Sequence, residues 1–183
     1  MKLIPFEMGY TFDENLREKP LSLEQMKQGI TFLKTNLTTP GIFYAKQCGL
    51  IGTYERIAGN LPESKFYLQQ AIEQYEISQH IQGLFINKLR LAHVYHWERN
   101  FKEVHKIFNE LLHLLQQNEL ASYEDFFYQH YGKCKIDEGD ISTALTYFQR
   151  ALQIRLKKGD QELIDSTERC IQYCRSILID SGN

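Results

Sequence analysis

The stretch YGKCKIDEGDISTALTYFQRAL, Tyr131–Leu152, decides the fold when set beside two others. IGTYERIAGNLPESKFYLQQAI (Ile51–Ile72) and LAHVYHWERNFKEVHKIFNELL (Leu91–Leu112) align with it without gaps, each starting 40 residues after the last. Small residues recur at Gly52, Ala92 and Gly132, where a short side chain lets two helices approach closely. A turn follows at Gly59-Asn60, Arg99-Asn100 and Gly139-Asp140. Beyond each turn come a small or branched residue (Ser64, Val104, Ala144), a large apolar one (Leu68, Phe108, Phe148) and a further apolar one (Ala71, Leu111, Ala151). Spacings of four and three residues put these on one helical face. Each unit therefore reads as helix, tight turn, helix, and an internal repeat of this length implies an all-α stack of helix pairs.

Helix-start chemistry supports the reading. Asn60 with Glu63 and Asn100 with Glu103 have the spacing of capping boxes, as do Ser22 with Gln25 and Ser122 with Asp125. Asp140 or Ser142 can cap the helix after the third turn, and Pro62 falls in a first turn that tolerates it. One helix is predicted from Leu23 to about Asn36, before the break Thr38-Thr39-Pro40-Gly41. Gly159 predicts a C-cap, and an amphipathic helix over 161–179 is placed to cap the last pair. The expected organisation is an N-terminal segment over 1–40 with one helix, then a repeat domain over 41–183 with units at about 42–80, 81–120 and 121–159. Residues 1–20 show no period and are expected to be extended or partly disordered.

The small residue of the first helix, the Gly/Asn or Gly/Asp turn and the run Ala144, Phe148, Ala151 resemble tetratricopeptide repeats over about residues 41–180. The period is six residues longer than the commonest form and no proline closes the second helix; longer periods are familiar from kinesin-light-chain-like repeats and bacterial peptide-sensing regulators. The resemblance implies an all-α, right-handed α-solenoid of about three antiparallel hairpins, with an N-terminal helix and a C-terminal capping helix. It also implies a cytosolic module that binds a peptide or protein along a concave wall built from the first helix of each unit.

Counting helical faces from Gly52, Ala92 and Gly132 places Thr53, Arg56, Leu89, His93, His96, Phe126, Gln129 and Lys133 on that wall, with Arg169 and Tyr173 from the last helix. Arg56, His93, His96, Lys133 and Arg169 face few carboxylates there, which favours an acidic peptide or a free C-terminal carboxylate. Phe126 is the expected exposed anchor, since three consecutive aromatic residues, Phe126-Phe127-Tyr128, cannot all face the core. Related co-chaperones hold a terminal carboxylate with Lys and Asn on the first helices; Gly49 and Thr53 stand where the first of those is needed, so that clamp is not expected.

Other functions find little footing. A net charge of -2 and a pI near 6.3 give no field that draws the chain to nucleic acid or an anionic membrane. Apolar runs fall short of a bilayer span, and Met1–Pro5 leads into Glu7 and Asp13-Glu14 where a secretory signal would be apolar. His93 and His96 could ligate a metal from one helical face, but zinc needs three or four convergent ligands. Cys170 and Cys174 continue an apolar stripe and are read as core. No phosphate loop, GxSxG or HExxH is present, so no catalysis, cofactor or metal is expected. The alternatives to a peptide-binding groove are a regulatory or immunity-type protein that neutralises one dedicated partner and a peptide-sensing domain; self-association through an end helix is compatible with each.

Overall fold

Close helix approach governs the packing. At Gly52 an added Cβ would lie 2.6 Å from Leu68 Cγ and 3.0 Å from the Ser64 carbonyl oxygen, and at Gly132 it would lie 2.7 Å from Phe148 Cε1. Leu68 and Phe148, both fully buried, thus seat directly on the backbone of the preceding helix. Ser64 is small enough to reach the same seam, where its hydroxyl donates to the Gly52 carbonyl at 2.6 Å.

The structure, a computed structural model, describes residues 3–14, 16–117 and 120–181, the last two by backbone alone. A short antiparallel hairpin, β1 (Tyr10–Phe12) and β2 (Glu18–Pro20), precedes eight helices: α1 (Leu23–Thr35), α2 (Ile42–Ile57), α3 (Leu61–Ile77), α4 (Ile81–Trp97), α5 (Phe101–Gln117), α6 (Glu124–Asp137), α7 (Ile141–Lys158) and α8 (Gln161–Ser181). The helices pack in consecutive antiparallel pairs, the all-α arrangement expected from the sequence. No helix among the described residues is long and apolar enough to cross a membrane.

Two compact units form, Met1–Val104 and His105–Asn183. In the first, α2 packs on α1, α3 and α4; Met26, Ile30 and Leu33 of α1 meet Ile51 and Ile57 of α2, with Ile4 and Met8 of the N-terminal segment packed on this cluster. In the second, α7 lies between α6 and α8, and Phe108 of α5 stacks on Tyr131 at 4.2 Å. The helix ends repeat one geometry. Gly59, Gln79, Arg99 and Gly139 take positive φ, and the next residue's N–H returns to a carbonyl five positions back, as in Asn60 to Glu55 at 2.8 Å and Asp140 to Lys135 at 2.9 Å. This is the Schellman stop.

Caps form in part. Ser22 Oγ, Asn100 Oδ1 and Asp140 Oδ1 accept from the N–H three residues on. Asn60 makes no side-chain cap, and the Glu63 carboxylate that would return to its N–H binds Lys34 at 2.8 Å instead. Ser122 and Asp125 form no box either: a 3-10 turn at Ala121–Tyr123 precedes α6, and the Asp125 carboxylate is drawn inward by two cations. The region expected to be extended or partly disordered carries the β1–β2 hairpin, closed by Asp13, whose carboxylate accepts from Arg17 N–H at 2.9 Å.

Overpacking the two seams tests this packing. Gly52→Ala and Ala144→Leu, the latter at a fully buried residue, should each lower stability by about 1–3 kcal/mol. Urea midpoints matching wild type for both would show that the seams are elsewhere.

Candidate functional site

In the first unit the sequence-predicted residues Arg56, His93 and His96 come together, but around an acid supplied by the chain itself. Glu18, on β2, meets the Arg56 guanidinium fork to fork, Nη1 to Oε2 at 2.9 Å and Nη2 to Oε1 at 3.0 Å. Both side chains are almost wholly buried, 5% and 9% exposed. Such planar pairing is the strong form of a charge-assisted hydrogen bond. His93 Nε2 lies 3.9 Å from the same Oε2 and its ring stacks on His96 at 6.0 Å. The Arg56 guanidinium lies over the Trp97 ring at 4.7 Å, with Arg17 of the hairpin at 5.7 Å. The Trp97 Nε1 donor is buried and meets no acceptor among the described residues.

Beside this cluster, Gly49 lets α4 side chains rest on α2. A Cβ at Gly49 would come within 2.4 Å of Asn87 Oδ1 and 2.9 Å of Arg90 Nη1. Asn87 is buried, donates to the Gly83 carbonyl at 2.8 Å, and accepts from Arg90 at 3.3 Å. Arg90 thus has a neutral partner, and no carboxylate lies within ion-pair distance of it among the described residues. Burial lowers its pKa; the Tyr75 phenol opposes this, and the nearby Arg56 adds to it. Gly49, which denies the chain a side-chain clamp at that position, is what makes room for Arg90. Thr53 donates its hydroxyl to the Gly49 carbonyl at 2.8 Å and Leu89 is buried, so neither presents a free polar group there.

The second unit places Gln129 and Lys133 one turn apart on α6, both buried. Gln129 Nε2 lies 3.3 Å from Cys170 Sγ on α8, and its Oε1 is buried without a donor among the described residues. Burial pushes the Cys170 thiol up, opposed by Lys133. Arg169 is exposed and Tyr173 half-buried on the same helix. Phe126 is half-buried under two cations, Arg155 at 5.4 Å and Lys158 at 5.5 Å, so its ring is covered where an exposed anchor was expected. Those cations belong to a closed ion network. Asp125, fully buried, accepts from Arg155 Nε at 2.9 Å and from Lys158, while Arg155 also donates to Thr167 at 2.7 Å and the Leu163 carbonyl at 3.1 Å. Cys48, Cys134, Cys170 and Cys174 are buried free thiols, and among the described residues no three His, Cys, Asp or Glu side chains are grouped to hold a metal.

Sequence reasoning missed Glu18, Asn87 and Arg90. Glu18 lies outside the repeat, where no period assigns it a face. Asn87 and Arg90 fall beside the line Leu89, His93, His96 that face counting selected, and Gly49 with Gly83 was the signal that could have found them.

No protein-family model matches the chain, and no curated protein does. Among solved structures, one from Podosopora anserina, assigned as a kinesin light chain with nearly identical TPR-like repeats, aligns with 87% of this chain and 86% of its own, at a TM-score of 0.48 and 10% identity.

Two measurements probe these buried groups. Asp125→Asn leaves Arg155, 2% exposed, without its counter-charge, and should cost about 3–5 kcal/mol, of which Asp125→Leu/Arg155→Met recovers part; equal denaturation midpoints for wild type and the single variant would contradict the network. Burial, with Glu138 adding to it, pushes the Cys134 thiol up to about 12 from an ordinary 9.0. A raised folded-state pKa gives stability fully present below the unfolded pKa and lost as pH rises toward the folded one. Thermal midpoints between pH 9 and 12 should therefore fall more steeply for wild type than for Cys134→Ala, and parallel slopes would refute it.

Proposed function

We propose that this chain is a protein-interaction module and that the α2–α4 face of its first unit recognises a carboxylate-bearing segment of a partner protein. The helical scaffold offers side chains on rigid elements and few loops on which a catalytic site is built. The observation that carries the reading is Arg90: a half-buried guanidinium set against Gly49, near a second one, whose hydrogen-bond partner is the Asn87 amide. Removing a cation from water is costly unless an anion or several acceptors compensate. An incoming carboxylate supplies that compensation, and the buried Trp97 donor offers a further hydrogen bond for it or for the adjoining peptide carbonyl. Chain composition favours this over a polyanion surface, because the net charge is -2 and the positive groups of the site are few and set into the helices.

The test uses immobilised short synthetic peptides bearing Glu or Asp, each paired with its Gln or Asn copy, probed with the full chain. Carboxylate peptides should bind at least about tenfold better than their amide copies, ~1.4 kcal/mol. Arg90→Glu should cost roughly 2–5 kcal/mol at a desolvated contact, whereas Lys102→Glu on the exposed side of α5 should cost less than about 1 kcal/mol. Added salt should weaken binding mainly through slower association. Equal losses at Arg90 and Lys102, or no preference for carboxylates, would remove the site from this face.

A further inference from the structure

We infer that the ligand of this face carries two carboxylates, one that takes the place of Glu18 on Arg56 and one that meets Arg90, and that the β1–β2 hairpin is a displaceable internal stand-in for it. The inference rests on the reading of the α2–α4 face as a carboxylate site.

The hairpin is weakly built. Its strands are three residues each, and a lone two-stranded ribbon of this size is marginal in water. Tyr10, Thr11 and Lys19 are exposed, while Phe12, Leu16 and Pro20 are half-buried and none of the hairpin's apolar side chains is fully buried. A buried contact with the helices is polar, the Glu18–Arg56 pair. A buried ion pair gains little net stability, because desolvation of both charges offsets their attraction, but it is highly selective for what it accepts. One carboxylate can therefore replace another there at little net cost.

The segment is also tethered so that release stays local. On its N-terminal side Ile4 and Met8 pack on the Met26–Ile30 core, and Phe6 meets Phe32 edge-on at 6.3 Å. On its other side Ser22 caps α1. The hairpin is an excursion between two anchors, and such low-stability elements open without global unfolding.

The stand-in is incomplete. With Glu18 in place, Arg90 still has no carboxylate and Trp97 Nε1 no acceptor among the described residues. A tethered group competes at an effective concentration of about millimolar. A ligand with a single carboxylate gains nothing over Glu18, whereas one that also satisfies Arg90 makes contacts the hairpin cannot. That difference selects two-carboxylate segments over singly charged ones.

The experiment uses the full chain and C-terminally amidated synthetic peptides carrying either one Glu or two at varied spacing, together with a peptide copying Gly9–Leu21 in which Asp13→Asn and Glu14→Gln leave Glu18 as the single acid, and its Glu18→Gln copy. Trp97, the sole tryptophan, reports on the site, and amide exchange reports on the hairpin. Two-Glu peptides should bind Glu18→Gln at least about tenfold tighter than wild type, and Arg90→Gln should abolish the preference for two Glu over one. The Gly9–Leu21 peptide should bind Glu18→Gln but not wild type, and its Gln copy should bind neither. Binding to wild type should speed exchange in β1–β2 and shift Trp97 emission. Circular dichroism checks folding, and Arg56→Gln/Glu18→Gln, which removes both charges together, should fold yet lose the tight binding. Equal affinity of wild type and Glu18→Gln, with Arg90 still required, would overturn displacement while leaving the carboxylate reading standing. Unchanged emission and exchange in Glu18→Gln would show that Glu18 does not hold the hairpin. Release of the hairpin with no acidic peptide bound by any variant would overturn the site itself.

Discussion

Everything in this molecule depends on helices approaching closely enough for a large side chain to sit on bare backbone. Leu68 on Gly52 and Phe148 on Gly132 are two instances, and Tyr75 on Gly83, where an added Cβ would lie 2.3 Å from its ring, is a third. A residue with a Cβ at these points would push the helices apart and open the core beneath. The same constraint also makes the site. Because Gly49 lets α4 side chains rest on α2, Asn87 is buried there and Arg90 half-buried, with no acid within ion-pair distance of Arg90 among the described residues.

What the sequence revealed follows from this constraint. Glycines and the apolar residues four and three apart are read directly from the chain, so the pairing of α2 with α3 and of α6 with α7 was legible. Face counting also brought Arg56, His93 and His96 to one place. It could not show that their carboxylate comes from β2, because Glu18 lies in a segment without periodicity and its pairing spans 38 residues. Caps were legible only as capacity: Glu63 has the right position for a box, but a cation from another helix, Lys34, outbids the local N–H. Asp125 illustrates the same competition, since a carboxylate that can reach two cations in a buried site does not stay on a helix end.

The two units treat buried charge in opposite ways, and the contrast separates structure from recognition. In the second unit the balance is closed. Asp125 is matched by Arg155 and Lys158, and Arg155 Nη1 donates to Thr167 and the Leu163 carbonyl. Asp125 thus has its cations within the chain, and Phe126 lies half-buried beneath the same two, Arg155 and Lys158. In the first unit Arg56 and Arg90 lie close enough to repel each other, yet among the described residues the carboxylate paired to them across an ion bridge is Glu18, on Arg56. On the reading proposed for this face, a half-buried guanidinium whose neighbour is an amide and not an acid is one that a carboxylate from outside the chain would satisfy.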